Sequence, residues 1–337
     1  MNNRIGPIGR ALMGVAAVVC CMLVAPLFAA AQPVQRPLRI GFMAHDRSLL
    51  ALPSTRALVD GLRDLGYVEG RHFAWEFCAT DSRPERILAC VSELIQLPVD
   101  IFLFGICGTG LDAVRRATQT IPIVVASCND DMVETGIVKS LARPGGNITG
   151  LSKLTPELAP KRLQLLKQVV PGAARIAVLW NPGYSDFKAD WRELRAAAQK
   201  LGVTLLPVEF RRPDDLDPAF ATIARERVDA LITFSDALTY IFAQRVADLA
   251  SAHRIPSLFA FREVTEAGAL MSYGPSLPGM WRRAASYIDR IVKGAKPGDL
   301  PIEQPTRFEL VVNRKAAAAL GLTIPQSVLL LADRVVD

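Results

Sequence analysis

Short apolar runs alternate with amphipathic stretches along the chain from Leu38 onward. Each interval suits one helix between two strands, a pattern that favours βα units and parallel sheets covered by helices. The predicted strands cover residues 38–44, 72–78, 100–105, 121–127, 175–180, 203–208, 229–234 and 256–259, with a further extended run at 148–152. The pattern therefore predicts an α/β protein.

Helices are predicted between these runs from the spacing of apolar side chains. Ala159, Leu163, Leu166 and Val170 follow one another at intervals of four, three and four residues, which places them on one helix face. The same spacing recurs over residues 277–293. Both segments are therefore expected to cover a sheet.

Three breaks in the pattern divide the chain into two similar halves. Residues 142–147 contain one Pro and two Gly, and further Pro and Gly residues interrupt 273–275 and 294–305. We expect the chain to cross between two lobes at these places. The predicted lobes are residues 32–150 with 274–303, and residues 151–273 with 304–337, with a ligand cleft between them.

The first residues have the features of a secretory signal. Arg4 and Arg10 precede a nearly uncharged apolar run, which ends at Ala29, Ala30 and Ala31. A basic start, an apolar middle and a small-residue cleavage site are typical of a segment removed on export. We predict a signal peptide over residues 1–31; an uncleaved membrane anchor is the alternative.

Composition narrows the function without identifying it. The chain has 337 residues, half of them apolar, and a formal net charge of +6. Its basic residues are scattered among acidic ones, whereas a nucleic-acid site needs a clustered basic surface. We therefore predict no nucleic-acid partner.

Four cysteines follow the predicted cleavage site: Cys78, Cys90, Cys107 and Cys128. Four cysteines allow three pairings, and export permits disulfides. Cys107 and Cys128 lie at the ends of two predicted strands of one sheet. A disulfide between them fits if those two strands are neighbours. Buried free thiols are the alternative.

Polar residues follow the predicted strands at the sheet edge where open parallel sheets bind ligands. Two such edges that face one another would form a cleft suited to a small polar molecule. The candidate ligand-binding residues are His45, Asp46, Gly108, Thr109, Gly110, Asn129, Asp131, Asn181, Tyr184, Ser235, Asp236 and Arg262.

Residues 108–113 match the G-x-G-x-x-A pattern of dinucleotide-binding loops. That pattern belongs on the first βα turn of its sheet, and this one lies on the third. A glycine-flanked helix start also presents unpaired N–H groups to an anion, and the Thr109 hydroxyl would add a donor. We predict an anion contact here, with an ordinary helix cap as the alternative.

The sequence carries no nucleophile elbow, Walker loop or H-E-x-x-H motif. It also lacks cysteine and histidine spacings typical of metal sites. We therefore predict no catalytic residues, no cofactor, no metal and no enzymatic activity.

Several longer stretches resemble one known family. They are residues 140–150 (SLARPGGNITG), 270–276 (LMSYGPS), 300–306 (LPIEQPT) and 319–325 (ALGLTIP). In these segments the chain resembles the ABC-transporter substrate-binding proteins of the tryptophan/tyrosine type. The resemblance extends from Leu38 to the C-terminus.

The resemblance implies a type I periplasmic-binding-protein fold, with two Rossmann-like lobes that close on a solute. It implies a protein that traps a small carboxylate-bearing solute, an aromatic amino acid or a related compound. From the export signal we expect a periplasmic location, and no feature of the sequence demands more than a monomer. An ABC permease in the inner membrane would be its partner. The family's binding loops fall on residues 108–110, Asp131, Asn181 and Ser235–Asp236, whereas Met132 replaces the usual Pro. The alternative functions are a ligand-binding module of a membrane receptor and a secreted enzyme.

Overall fold

The computed structural model describes residues 36–80, 83–153, 158–182 and 187–337. The predicted signal peptide and Tyr184 lie outside the described residues. Two α/β lobes are built on two separate sheets.

The first sheet contains five parallel strands in the order β2-β1-β3-β4-β5. Every residue of β3, β4 and β5 is buried, as expected for strands covered on both faces. The strands are β1 (Leu38–Ala44), β2 (Phe73–Ala79), β3 (Ile101–Phe104), β4 (Ile123–Cys128) and β5 (Ile148–Ser152).

The second sheet contains seven strands in the order β12-β11-β10-β9-β8-β6-β7. Its strands are β6 (Arg175–Trp180), β7 (Thr204–Glu209), β8 (Ala230–Thr233), β9 (Ser257–Phe259), β10 (Met271–Gly274), β11 (Glu309–Asn313) and β12 (Arg334–Val336). β10 and β11 pair antiparallel. The sequence analysis did not predict β10, β11 or β12. In the case of β10, the strand is short and runs directly into the Gly274-Pro275 break.

Helices connect the strands of each sheet. They are α1 (Pro53–Asp64), α2 (Pro84–Gln96), α3 (Thr109–Ala117), α4 (Leu158–Val169), α5 (Phe187–Lys200), α6 (Leu216–Arg225), α7 (Ala237–Ile241), α8 (Ala243–Ala252), α9 (Arg262–Glu266), α10 (Leu277–Val292), α11 (Arg314–Ala319) and α12 (Gln326–Leu331). None of the helices in these described ranges has both the length and the apolar character needed to span a membrane.

The chain crosses between the lobes three times. It leaves the first sheet after β5, returns after β10 into α10, and leaves again before β11. The break at residues 142–147, where a crossing was expected, instead lies between β4 and β5 of the first sheet, because β5 pairs with β4. Residues beside the last crossing pair with β5: the Ser152 N–H donates to the Glu303 carbonyl at 2.9 Å, and the Glu303 N–H donates to the Gly150 carbonyl at 3.0 Å. The first and third crossings therefore lie side by side.

Helix α10 belongs to the first lobe although it follows strands of the second. It packs closely on α1, where a Cβ atom at Gly61 would lie 2.9 Å from the Arg282 carbonyl oxygen. Arg282 forms an ion pair with Asp64, and the Tyr67 hydroxyl donates to Asp289 at 3.0 Å. Glycine at position 61 permits this close approach of the two helices.

Apolar clusters cover both sheets, and one of them extends between the lobes. Tyr240, Ala260 and Phe261 of the second lobe pack with Leu277 and Trp281 of the first-lobe helix α10. The lobes therefore meet through apolar side chains as well as through the crossings.

The four cysteines form two disulfides, Cys78–Cys90 and Cys107–Cys128. The first joins β2 to α2. The second joins the loop after β3 to the end of β4, at the carboxyl edge of the sheet. This pairing resolves the alternatives left open by the sequence.

Candidate functional site

A cavity of about 400 Å³ lies between the two lobes. The first lobe contributes residues from the carboxyl ends of β1, β3 and β4 and from the start of α1. The second lobe contributes residues that follow β6, β7 and β8. The principal lining residues are Phe42, His45, Leu52, Ser54, Thr55, Arg83, Gly105, Thr109, Ser127, Lys153, Asn181, Arg211, Leu238, Tyr240, Ile241, Leu277 and Trp281.

One wall of the cavity is formed by the Trp281 indole. Its ring meets the Phe42 ring edge-on, with the centroids 6.1 Å apart. A Cβ atom at Gly105 would lie 2.7 Å from Trp281 Cζ2, so glycine there lets the indole lie against the backbone after β3. The result is a broad apolar surface that suits an aromatic ring or another flat apolar group.

Lys153 borders the cavity at the first crossing and is only 3% exposed. Its backbone N–H donates to the Cys128 carbonyl of the first lobe at 2.7 Å. Its ammonium donates to the Ser235 carbonyl of the second lobe at 3.3 Å and lies 4.9 Å from the centre of the Phe261 ring. Burial lowers the pKa of Lys153 to about 7, although the nearby Asp236 carboxylate opposes this effect.

Asp236 is fully buried at the start of α7. Its carboxylate accepts a hydrogen bond from the Leu238 N–H at 2.7 Å and one from the Asn181 side chain. Burial raises the pKa of Asp236 to about 6, while the Leu238 N–H and Lys153 favour the ionised form. Asp236 thus caps a helix and orients Asn181, which itself borders the cavity.

Ser235 connects both lobes. Asn129 of the first lobe donates to the Ser235 carbonyl at 3.3 Å. From the second lobe, the buried Arg162 guanidinium donates to the Ser235 hydroxyl at 3.1 Å and to the Tyr273 carbonyl at 2.7 Å. The carboxyl edges of the two sheets are therefore in direct contact beside the cavity.

The structure places three of the residues predicted from the sequence on the cavity surface: His45, Thr109 and Asn181. Asn129 and Ser235 instead contact one another across the lobes. The remaining predictions among the described residues serve the local structure around the cavity or lie away from it.

Two predicted carboxylates cap local turns. Asp46 accepts a hydrogen bond from the Ser48 N–H at 2.6 Å, and hydrogen bonding by the Ser48 side chain and then by its backbone lowers the pKa of Asp46. Asp131 accepts from the Val133 and Glu134 N–H groups at 2.9 and 3.0 Å. Both side chains shape the loops that follow β1 and β4.

The two predicted glycines flank Thr109. Gly108 is the cap of α3 and has φ = 131°, in the region that favours glycine. A Cβ atom at Gly110 would lie 2.6 Å from the Met43 methyl carbon. Both glycines therefore position the helix start that brings Thr109 to the cavity.

Arg262 lies in a charged cluster of the second lobe. Its guanidinium pairs with Glu309 at 3.1 Å and with Glu263 at 3.5 Å. Burial raises the pKa of Glu263 to about 7, with the Arg262 charge opposing this shift. Arg262 is not among the residues that line the cavity.

Sequence reasoning missed Lys153, Tyr240 and Trp281 as cavity residues. Lys153 directly follows a strand, so the rule applied to the other strand ends also points to it. Trp281 was predicted only as part of an apolar helix face. Tyr240 carried no signal of its own, since its position depends on how the two lobes meet.

The chain matches, over residues 41–336, the protein family described as ABC transporter substrate binding protein. The tyrosine-binding protein of Clostridioides difficile (strain R20291) is 24% identical over 267 residues, which are 79% of this chain and 76% of that protein. These similarities extend over both lobes.

Two solved structures share the fold along their whole length. An ABC domain from Streptococcus pneumonia in complex with L-Trp is 25% identical, with a TM-score of 0.77, over 89% of this chain and 100% of that chain. A conserved domain protein from Vibrio cholerae O1 biovar eltor is 28% identical, also with a TM-score of 0.77, over 89% of this chain and 99% of that chain.

Proposed function

This chain belongs to the ABC transporter substrate-binding proteins, and we propose that it traps a small carboxylate-bearing solute between its lobes. The solute is an aromatic amino acid or a related compound, which the protein delivers without chemical change to an ABC permease of the inner membrane. In this proposal the protein is a periplasmic monomer.

The cavity between the lobes is the observation that carries the proposal. Its volume of about 400 Å³ lies within the usual range for small-molecule sites, roughly 300–1,000 Å³. The Trp281 wall suits an aromatic side chain, and Thr109, His45 and Asn181 supply polar groups. A tyrosine-binding relative and a similar L-Trp complex support the same class of solute.

Hinge motion at the three crossings would open and close the cavity. We propose that the lobes divide near residues 150, 274 and 303, where the chain passes from one sheet to the other. A solute that contacts both lobes stabilises the closed arrangement, and the permease would recognise that arrangement.

The test is a calorimetric and thermal-shift titration of protein freed of bound solute by unfolding and refolding. The panel contains aromatic and aliphatic amino acids, aromatic acids and sugars. A solute present at about 100 times its Kd should stabilise the fold by about 2.7 kcal/mol and raise the Tm by roughly 5–10 °C. If no small molecule of the panel binds, the proposal fails.

Uptake of the labelled solute by cells distinguishes import from sensing. Deleting the gene for this protein should abolish uptake, and restoring it should restore uptake. Unchanged uptake together with tight binding would instead favour a receptor module.

A further inference from the structure

Lys153 is a buried cation at the point where the first lobe joins the second. The residue borders the cavity, its backbone N–H is bonded to the first lobe, and its ammonium is bonded to the second. A charged group placed in the cavity beside it would face an ammonium that is shielded from water.

Two other cations border the cavity, Arg83 and Arg211, but both residues are exposed. Water screens the attraction between an exposed cation and a nearby anion much more strongly than the interior of a protein does. Among the lysines and arginines that line the cavity in the described part of the chain, the buried Lys153 therefore has the greatest effect on an anion inside it.

Charged groups from three elements act on Lys153. Asp236, which precedes α7, and Asp190 of α5 favour the ammonium, whereas Arg162 of α4 disfavours it. Burial outweighs these charges and holds the pKa of Lys153 at about 7. At neutral pH, only part of the unliganded protein carries the charge.

We propose that the Lys153 ammonium receives the carboxylate of the solute, and that the protein takes up a proton on this side chain when it binds. This inference rests on the proposed function, and it deepens that function by assigning the carboxylate to a particular cation. The proton comes from solvent, and no covalent bond is made or broken.

The sign of the pH dependence follows from linkage. A carboxylate beside the ammonium favours the protonated lysine, so the pKa of Lys153 is higher in the complex than in the free protein. Between these two pKa values the complex binds more protons than its parts. Affinity should therefore fall as the pH rises above about 7, by up to about tenfold per pH unit.

The experiment is isothermal titration at about pH 7.5 and pH 8.5, in buffers that differ in ionisation enthalpy. The probes are L-tryptophan, L-tyrosine and indole-3-propionate, with tryptamine as the analogue that lacks a carboxylate. The carboxylates should bind with uptake of a fraction of a proton, and their Kd should rise with pH. Tryptamine should show no uptake at Lys153.

Two variants complete the experiment. Lys153→Met should weaken carboxylate binding roughly tenfold to hundredfold at about pH 7, the usual effect of losing a hydrogen bond to a charged group, and should remove the proton uptake. Lys200→Met removes an exposed lysine at the end of α5 and should change neither property. If Lys153→Met does not fold, proton uptake by the wild-type protein still decides the matter.

Carboxylate binding without proton uptake and with a constant Kd over this pH range would overturn the inference while leaving the proposed function intact. Equal affinity of Lys153→Met and the wild-type protein would also overturn it. If no carboxylate bound at either pH, the proposed function would fail and this inference with it.

Discussion

The hydroxyl oxygen of Tyr240 accepts a hydrogen bond from the backbone N–H of Ser54, 3.0 Å away, across the boundary between the lobes. Ser54 lies in the first turn of α1, where backbone N–H groups have no partner within the helix. Both residues are buried, and the Tyr240 ring packs edge-on against Phe261. This bond exists only while the lobes are together.

Tyr240→Phe should therefore loosen the closed arrangement. The variant keeps the ring but leaves the Ser54 N–H without its acceptor, which costs about 1–3 kcal/mol. We expect weaker solute binding, measured by titration, and a more open average shape, measured by small-angle X-ray scattering.

Tyr287→Phe is the matched control. The Tyr287 hydroxyl donates to the Pro301 carbonyl at 2.6 Å within the first lobe. This change should lower the Tm without altering solute affinity. If both variants lowered affinity equally, the Tyr240–Ser54 bond would have no special role in closure.

Gly105→Ala should narrow the cavity. The added methyl group would lie 2.7 Å from Trp281 Cζ2, so the indole must shift. Because that ring is held by Phe42 on one side, we expect it to move toward the cavity and to weaken binding of large aromatic solutes more than of small ones. Titration with a size series measures this effect.

Gly172→Ala is the control for the glycine variant, because no atom of the described residues lies within 4 Å of an added Cβ there. It should leave affinity unchanged. A Gly105→Ala protein with the same affinity for every member of the series would show that the indole does not limit the size of the solute.

The Cys107–Cys128 disulfide should support solute binding as well as stability. It fixes the loop before Gly108 and Thr109 to the end of β4, whose Cys128 carbonyl accepts from the Lys153 N–H. Replacing both cysteines with Ser should lower the free energy of unfolding by about 2–4 kcal/mol and raise the Kd. Urea unfolding and titration test the two effects.

The Cys78–Cys90 pair provides the comparison. It closes a shorter loop, with a sequence separation of 12 against 21. None of the four cysteines lines the cavity, but Cys78–Cys90 holds neither the start of α3 nor the carbonyl that accepts from the Lys153 N–H. Its double Ser variant should lose stability and retain affinity. Equal losses of affinity in the two double variants would contradict a local role for Cys107–Cys128.

Glu263 should make the stability of the protein depend on pH. Its pKa is raised from 4.5 to about 7, so between these values the folded state binds a proton that the unfolded state has lost. This contribution is fully present below about pH 4.5 and disappears as the pH rises through 7. It amounts to at most about 3 kcal/mol.

Glu263→Gln should remove this pH dependence, so that the variant gains stability relative to the wild-type protein at about pH 8. Urea unfolding at about pH 5 and pH 8 measures the difference. Glu134→Gln, at an exposed residue of the first lobe, should leave the slope as it is. An unchanged slope in Glu263→Gln would contradict the raised pKa.

Patterns along the chain predict much of the fold because period and length are local properties. The first strand was predicted over residues 38–44 and is Leu38–Ala44, and Arg175–Trp180 was likewise predicted at its observed bounds. Such strands are continuous apolar runs with clear ends. Met271–Gly274 lacks this signal, since four residues beside Pro275 look the same in a strand or in a turn.

The site was predicted less completely, because it depends on how the lobes meet. Of the predicted residues after the strands, His45, Thr109 and Asn181 line the cavity. Whether a polar side chain borders the cavity or caps a turn depends on its rotamer and neighbours, as Asp131 illustrates. Lys153 and Tyr240 acquire their positions only through contacts with the opposite lobe.

The order of the strands affects how the protein is synthesised and folded. Helix α10, which covers the first sheet, follows β10 of the second, and β10 receives its neighbour β11 only from Glu309–Asn313. Neither lobe can be completed from one continuous stretch of chain. A nascent polypeptide that ends before Glu309 leaves an open β-edge, so final folding must await release of the C-terminal residues from the ribosome.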